Sequence, residues 1–301
     1  MSGAVIQCLP DAVNDAARIA AQLGVPMHPI EVHRFPDGEL RVTAGPAART
    51  TILYGSLDRP NEKLMTLLFA AEALRRGGAR RLVLVAPYLA YMRQDAAFRP
   101  GEAISQKVVG RLLGQAVDRI VTVDAHLHRA ATIGDVFPDI EADDLSAMPA
   151  IAATLRAENV DPATVVMGPD AEAEPWVADL ATRLGLRHAI ACKERHDDRS
   201  VDVRFDDATL FAGRPVLLVD DIVSSGGTLM TCTKALLASG AASVDAIVTH
   251  ALFPPELMSG LLSAGLGSIR STASVPHPTN AIPLDAMLAE ALRGELAGAN
   301  Q

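Results

Sequence analysis

The chain has only three cysteines, Cys8, Cys192 and Cys232, in 301 residues. Their number is odd, they lie far apart and no C-x-x-C occurs, so the sequence offers no disulfide framework and no cysteine metal site; such usage fits a reducing compartment. Excess positive charge is also missing: 36 acidic residues outweigh 27 basic ones, for a formal net charge of -9. A broad cationic face for nucleic acid or an anionic lipid surface is thereby excluded, whereas a few arginines in one cleft could still hold a small anion. Long oily runs are absent as well. The longest uncharged one, Leu82–Met92, contains Pro87 and falls short of the ~20 residues of a helical membrane span. The N-terminal MSGAVIQCLPDAV lacks a basic region followed by an apolar core, so no secretory signal is expected and the protein is placed in the cytoplasm. G-x-x-x-x-G-K-[ST], G-x-G-x-x-G and H-E-x-x-H do not occur, which leaves P-loop, dinucleotide-binding and zinc-protease readings without support.

What is present is alternation. With 49% hydrophobic and 21% charged residues, the chain is long enough for two ordinary cores, at roughly 100–200 residues per domain. Short β-type runs (Thr51–Tyr54, Arg81–Ala86, Arg119–Val123, Thr164–Met167, Ala189–Cys192, Pro215–Val219 and Val244–Thr249) alternate with helical stretches (Lys63–Arg76, Ser105–Ala116, Pro149–Glu158, Glu174–Leu184 and Thr228–Ser239). Strand runs that are apolar on both faces, separated by helices, predict an α/β fold with mostly parallel sheets. The pattern occurs twice, which hints at duplication. The acidic, unperiodic Glu141–Met148 is the best boundary, giving domains 1–147 and 148–301.

The most informative stretch is Leu217–Leu229, LLVDDIVSSGGTL. An apolar strand ends on Asp220 and Asp221, then Ser224, Ser225, Gly226, Gly227 and Thr228 lead into a helix. Glycines let backbone N–H groups close round an anion, hydroxyls add donors, and the helix N-terminus supplies partial positive charge, so the loop reads as a phosphate cradle. The two carboxylates cannot bind that phosphate; they suit the vicinal hydroxyls of a sugar, directly or through Mg²⁺. A plain capped loop with two solvated aspartates is the bland alternative.

These residues resemble the phosphoribosyl-diphosphate (PRPP) binding motif shared by type I phosphoribosyltransferases and PRPP synthetases, the ribose-phosphate diphosphokinases. Four further stretches resemble the synthetases in particular and in the same order: HRFPDGELRV (His33–Val42), PYLAYMRQD (Pro87–Asp95) with FRPGEAIS (Phe98–Ser105), VDAHLHR (Val123–Arg129) and CKERHDDRSVDV (Cys192–Val203). THALF (Thr249–Phe253) and VPHPTNAI (Val275–Ile282) extend the likeness over nearly the whole chain, and GPDAEAEPWVADLA (Gly168–Ala181) looks closer to archaeal-type members.

The resemblance implies two stacked type I phosphoribosyltransferase-like domains, with residues 284–301 packing back on the first, and transfer of the diphosphoryl group of Mg·ATP to the anomeric hydroxyl of ribose 5-phosphate. Phe35, Asp37 and Glu39 would then reach ATP in a neighbouring subunit of a homo-oligomer, although an ordinary P-D-G turn explains the same five residues. Arg93, Gln94 and Asp95 would bind ATP, and the alternative is a polar loop. His126 and Asp170 would hold Mg²⁺; buried, hydrogen-bonded histidines are the alternative for Asp124-Ala-His126-Leu-His128, and His128 is unassigned. Lys193 and Arg195 match the family's catalytic cations in a segment, KERHDDRS, that reads as a mobile loop; the chain has only four lysines. Asp220, Asp221 and Ser224–Thr228 would bind ribose 5-phosphate. The chain departs from the family at Ala96 and Ala97, where basic residues are usual, at Ser224-Ser225, and at Glu172 and Glu174. Two other readings stay open: a PRPP-consuming phosphoribosyltransferase, and a non-catalytic relative that senses nucleotides.

Overall fold

The computed structural model describes residues 3–127, 129–195, 201–205 and 207–298. The chain forms two compact units, Met1–Leu145 with Leu284–Gln301, and Ser146–Pro283.

In the first unit the chain runs β1 (Ala4–Cys8), α1 (Val13–Leu23), β2 (Met27–Pro29), β3 (Glu31–Arg34), β4 (Leu40–Thr43), β5 (Thr50–Tyr54), α2 (Pro60–Arg76), β6 (Arg81–Ala86), α3 (Ser105–Ala116), β7 (Arg119–Val123), α4 (Ile133–Val136) and β8 (Glu141–Leu145). Six strands form one sheet in the order β2-β1-β5-β6-β7-β8, all neighbours parallel, while β3 and β4 form a separate antiparallel hairpin. Every residue of β1 and β5 is buried, as a sheet covered by helices on both faces requires. The segment read above as an irregular boundary is in fact mostly strand β8. Its acidity is neutralised where its neighbours begin: Arg81 of β6 donates to both carboxylate oxygens of Glu141, and Arg119 of β7 donates to Asp143.

The second unit runs α5 (Met148–Ala157), β9 (Val165–Gly168), α6 (Glu174–Leu184), β10 (Arg187–Ile190), β11 (Cys192–Arg195), β12 (Val201–Arg204), β13 (Pro215–Val223), α7 (Gly227–Ala238), β14 (Ser243–Ala251), α8 (Leu257–Ser263), β15 (Ile269–Thr272) and β16 (Asn280–Ile282). Its parallel sheet has the order β10-β9-β13-β14-β15-β16, again with a detached hairpin, β11-β12, between the second and third sheet strands in sequence. The two orders are the same, so the repeat hinted at by the sequence is explicit in the topology. The core packs Val216, Leu218, Val244, Ala246 and Val248 of the central strands with Leu229, Cys232 and Leu236 of α7.

The chain then returns to the first unit as α9 (Asp285–Gly298), which packs against α1. Glu295 is the anchor: its side chain is 5% exposed and accepts from Arg81 and Arg119 at 2.6 to 2.9 Å. Among the described residues no helix is long and apolar enough to cross a membrane.

Candidate active site

The sequence-selected residues fall in two groups, one on each unit. In the second unit, β13 runs four residues further than expected, so Asp220 and Asp221 lie within the strand. Pairing with the equally long β14 extends it, with Asp220 opposite Val248 and Ile222 opposite His250. Ser224 and Ser225 are exposed beyond the strand end. Gly226 is the N-cap of α7 at φ 70, and among the described residues no side chain caps the start of this twelve-residue helix. Glycine is favoured there by the positive φ, and a Cβ would sit 2.6 Å from Leu257 Cδ2 unless that side chain moved. The stretch predicted as a cradle thus enters α7 through a left-handed glycine.

Asp170 follows β9, the strand paired with β13, and its carboxylate accepts from the Glu172 N–H at 3.1 Å. Asp221 is buried and accepts from the Ile222 N–H at 2.7 Å, while Asp220 accepts from the Asp221 N–H at 3.1 Å. Loss of hydration, then the nearby charges of Asp221 and Asp170, hold the Asp220 carboxyl well above the usual carboxylate range. The charges of Asp221 and Asp170 both act on Asp220, so acidic groups gather at this end of the sheet. Among the described residues no three His, Cys, Asp or Glu side chains form a group that could hold a metal ion.

Lys193 and Arg195 lie on β11, opposite Val203 and Val201 of β12. The segment expected to be a loop thus begins within strand β11; residues 196–200 and the side chains of Lys193 and Arg195 lie outside the described residues.

In the first unit, FPDGE is the tip of the β3-β4 hairpin, with Phe35 N–H donating to the Glu39 carbonyl and Glu39 N–H to Asp37 Oδ1. The ring of Phe35 is 37% exposed and meets His33 edge-on at 4.7 Å. Arg93 is exposed on the loop after β6, and Gln94 Nε2 donates to the Ala96 carbonyl at 3.0 Å. Half-buried His126 follows β7; His128 lies outside the described residues. The loops after β5, β6 and β7 each hold a non-glycine residue in the left-handed region, Arg59 (φ 52), Tyr91 (φ 66) and Asp124 (φ 40). Strained backbone of this kind gathers at functional edges.

Asp95 behaves differently from its neighbours. Its side chain is 1% exposed, and its two oxygens accept from the backbone N–H and the guanidinium of Arg129. The sequence reading passed over Arg129; R-Q-D and H-L-H-R are far apart in sequence, and their pairing shows only when β6 and β7 lie side by side.

Comparison with known proteins agrees with this layout. Residues 8–116 match the family described as the N-terminal domain of ribose phosphate pyrophosphokinase, and residues 145–253 match the phosphoribosyl transferase domain. A ribose-phosphate pyrophosphokinase of Methanopyrus kandleri is 31% identical over 290 residues, covering 96% of this chain and 98% of that protein. The Brucella melitensis enzyme of the same name is 35% identical over 271 residues, covering 89% and 86%. The crystal structure of phosphoribosylpyrophosphate synthetase from Mycobacterium smegmatis superposes with a TM-score of 0.83 at 26% identity, covering 98% of this chain and 99% of that one. With both domain families matched in order and full-length relatives above thirty per cent identity, the chain belongs to the ribose-phosphate pyrophosphokinase family of enzymes.

Proposed function

We propose that the protein transfers the diphosphoryl group of Mg·ATP to the anomeric hydroxyl of ribose 5-phosphate, giving PRPP and AMP. The observation that carries this reading is the uncapped, glycine-opened start of α7 beside Asp220 and Asp221. Ser224–Thr228 would grip the 5-phosphate, and the paired carboxylates would take the ribose hydroxyls, an arrangement that suits a sugar phosphate and no simple anion. Arg93 and Gln94 would hold ATP on the first unit, and the exposed hairpin tip Phe35–Glu39 suits contact with nucleotide in another copy of the chain, making the enzyme a cytoplasmic homo-oligomer.

Asp170 on the sugar side and His126 on the nucleotide side are the residues proposed to hold Mg²⁺, which would neutralise phosphoryl charge when bound. The chain's own contribution is to orient the attacking hydroxyl and to close cations over the moving group. Those cations are assigned to Lys193 and Arg195; a group stabilising developing charge in such a transfer is worth roughly 10³–10⁵ in rate, by analogy with arginine fingers.

The test is AMP formation by the purified protein with Mg²⁺, ATP and ribose 5-phosphate, beside Lys193→Ala. AMP and PRPP should form only when ribose 5-phosphate is present, and the variant should lose about 10³-fold or more in kcat with its fold intact. No AMP from folded wild type would overturn the reading, as would diphosphate release from PRPP dependent on an added base.

A further inference from the structure

Arg129 stands at the carboxyl edge of the first unit's sheet with its guanidinium held from two sides. One amino nitrogen donates to buried Asp95 Oδ1 at 2.6 Å, and the Arg129 backbone N–H donates to Asp95 Oδ2 at 3.1 Å. The guanidinium carbon lies 5.4 Å from the centroid of the Phe98 ring. Nonetheless the side chain is 59% exposed, and Nε and the second amino nitrogen have no acceptor among the described residues. An arginine fixed by a buried carboxylate and an aromatic face, with one edge of its fork still open, is a preorganised receptor for phosphoryl oxygens.

Its surroundings have the same sign. Arg93 and Arg99 are exposed nearby in sequence to Asp95, and neither side chain has an acidic partner among the described residues. The local carboxylates are spoken for: Asp95 is taken up by Arg129, and Glu102 Oε2 accepts from the N–H groups of Phe98 and Arg99. The loop is closed on itself by Gln106, whose backbone N–H reaches the Gln94 carbonyl and whose side chain reaches the Met92 carbonyl. In a chain of net charge -9, this edge is a local concentration of arginine on a braced loop.

We propose that Arg129 binds the phosphate chain of the nucleotide, and that Asp95 is the positioning residue that aims it and does not itself touch the nucleotide. A carboxylate with both oxygens committed to Arg129 has nothing to offer a polyphosphate except repulsion. Through Arg129 the loop after β7 supplies the cation that Ala96 and Ala97 do not. This inference rests on the diphosphokinase reading for its substrate.

Steady-state kinetics and calorimetric titration of ATP are compared for wild type, Arg129→Met, Arg129→Lys, Asp95→Asn and the double variant Asp95→Asn/Arg129→Met. Arg129→Met should raise the KM and Kd for ATP by about tenfold and leave the KM for ribose 5-phosphate within about twofold, with Arg129→Lys intermediate. Asp95→Asn should weaken ATP binding less, and adding it to Arg129→Met should weaken it no further, because its effect runs through the arginine. Unchanged ATP affinity in a folded Arg129→Met protein overturns the proposal, as does a further loss in the double variant. Should wild type form no AMP, the diphosphokinase reading fails on its own, and the ATP titration, which needs no turnover, still decides the arginine.

Discussion

Gly226 shows how a single residue joins conformation to binding. At φ 70 an L side chain is strained by about 1–2 kcal/mol, and here a Cβ would also press to 2.6 Å from Leu257 Cδ2. The Leu257 side chain can give way to the Cβ, but the positive φ remains, and relaxing it turns the peptide that opens α7, whose N–H groups would line the proposed cradle. Gly226→Ala is therefore expected to raise the KM for ribose 5-phosphate by at least about tenfold while ATP affinity stays close to wild type. Calorimetric titration of each substrate separates these effects, and equal losses for both would point to general unfolding instead. The residue types of this cradle were legible in the sequence because Asp-Asp, Ser-Ser and Gly-Gly sit within one short stretch. The partnership of Asp95 with Arg129 was not, since it arises from neighbouring strands and leaves no local pattern.

At the scale of elements, α9 buries Leu288, Ala289 and Leu292 and sets one carboxylate, Glu295, between two arginines. Burial raises the pKa of Glu295, but hydrogen bonds from Arg81 and Arg119, with their charges, more than offset this and leave it below the usual range. A depressed carboxyl stabilises the fold at pH values above its unfolded value of about 4.3, and that contribution is lost as pH falls through the folded value. Glu295→Gln should therefore lower stability by about 1–3 kcal/mol at pH 7, because the two arginines lose their shared buried carboxylate and keep Glu141, Asp143 and the Ala291 carbonyl. Denaturant melts at pH 7 and at successively lower pH should show the gap between variant and wild type closing in acid; a gap independent of pH would contradict the assignment. The same arginines explain why β8 escaped the sequence reading. Glu141-Ala-Asp143-Asp144-Leu has no apolar alternation, and only its tertiary neighbours make a strand there acceptable. Runs such as Arg81–Ala86 and Arg119–Val123, apolar on both faces, were legible at once because their burial is written in their own composition. The hairpins were harder: Lys193–Arg195 is polar, pairs only with Val201–Val203, and resembles a loop until its partner is known.

For the whole molecule, the repeated strand order poses the question of how many sugar phosphates one chain holds. In each sheet the order in which strands are added reverses at the same place, between β1 and β5 in the first unit and between β9 and β13 in the second, and ligands of such sheets gather outside the carboxyl ends at that point. In the second unit the point carries Asp170 and the open cradle. In the first, the corresponding helix α2 begins with Pro60, which has no N–H, carries Glu62 in its first turn and has Arg59 at its N-cap position without a side-chain cap. The space is also claimed from within: Lys63 Nζ lies 2.6 Å from both Asp11, after β1, and Asp58, after β5, and 3.0 Å from the Ser56 carbonyl. A lysine bound to two carboxylates is already neutralised, and a helix start with proline and glutamate repels a phosphate where glycines would receive one. On the proposed function, one topology thus gives one proposed cradle and one closed counterpart. Titration of the protein with ribose 5-phosphate should accordingly fit a single site per chain, abolished or strongly weakened by Gly226→Ala and untouched by Arg129→Met; a second site surviving in Gly226→Ala would mean that the first unit's switch point is open after all.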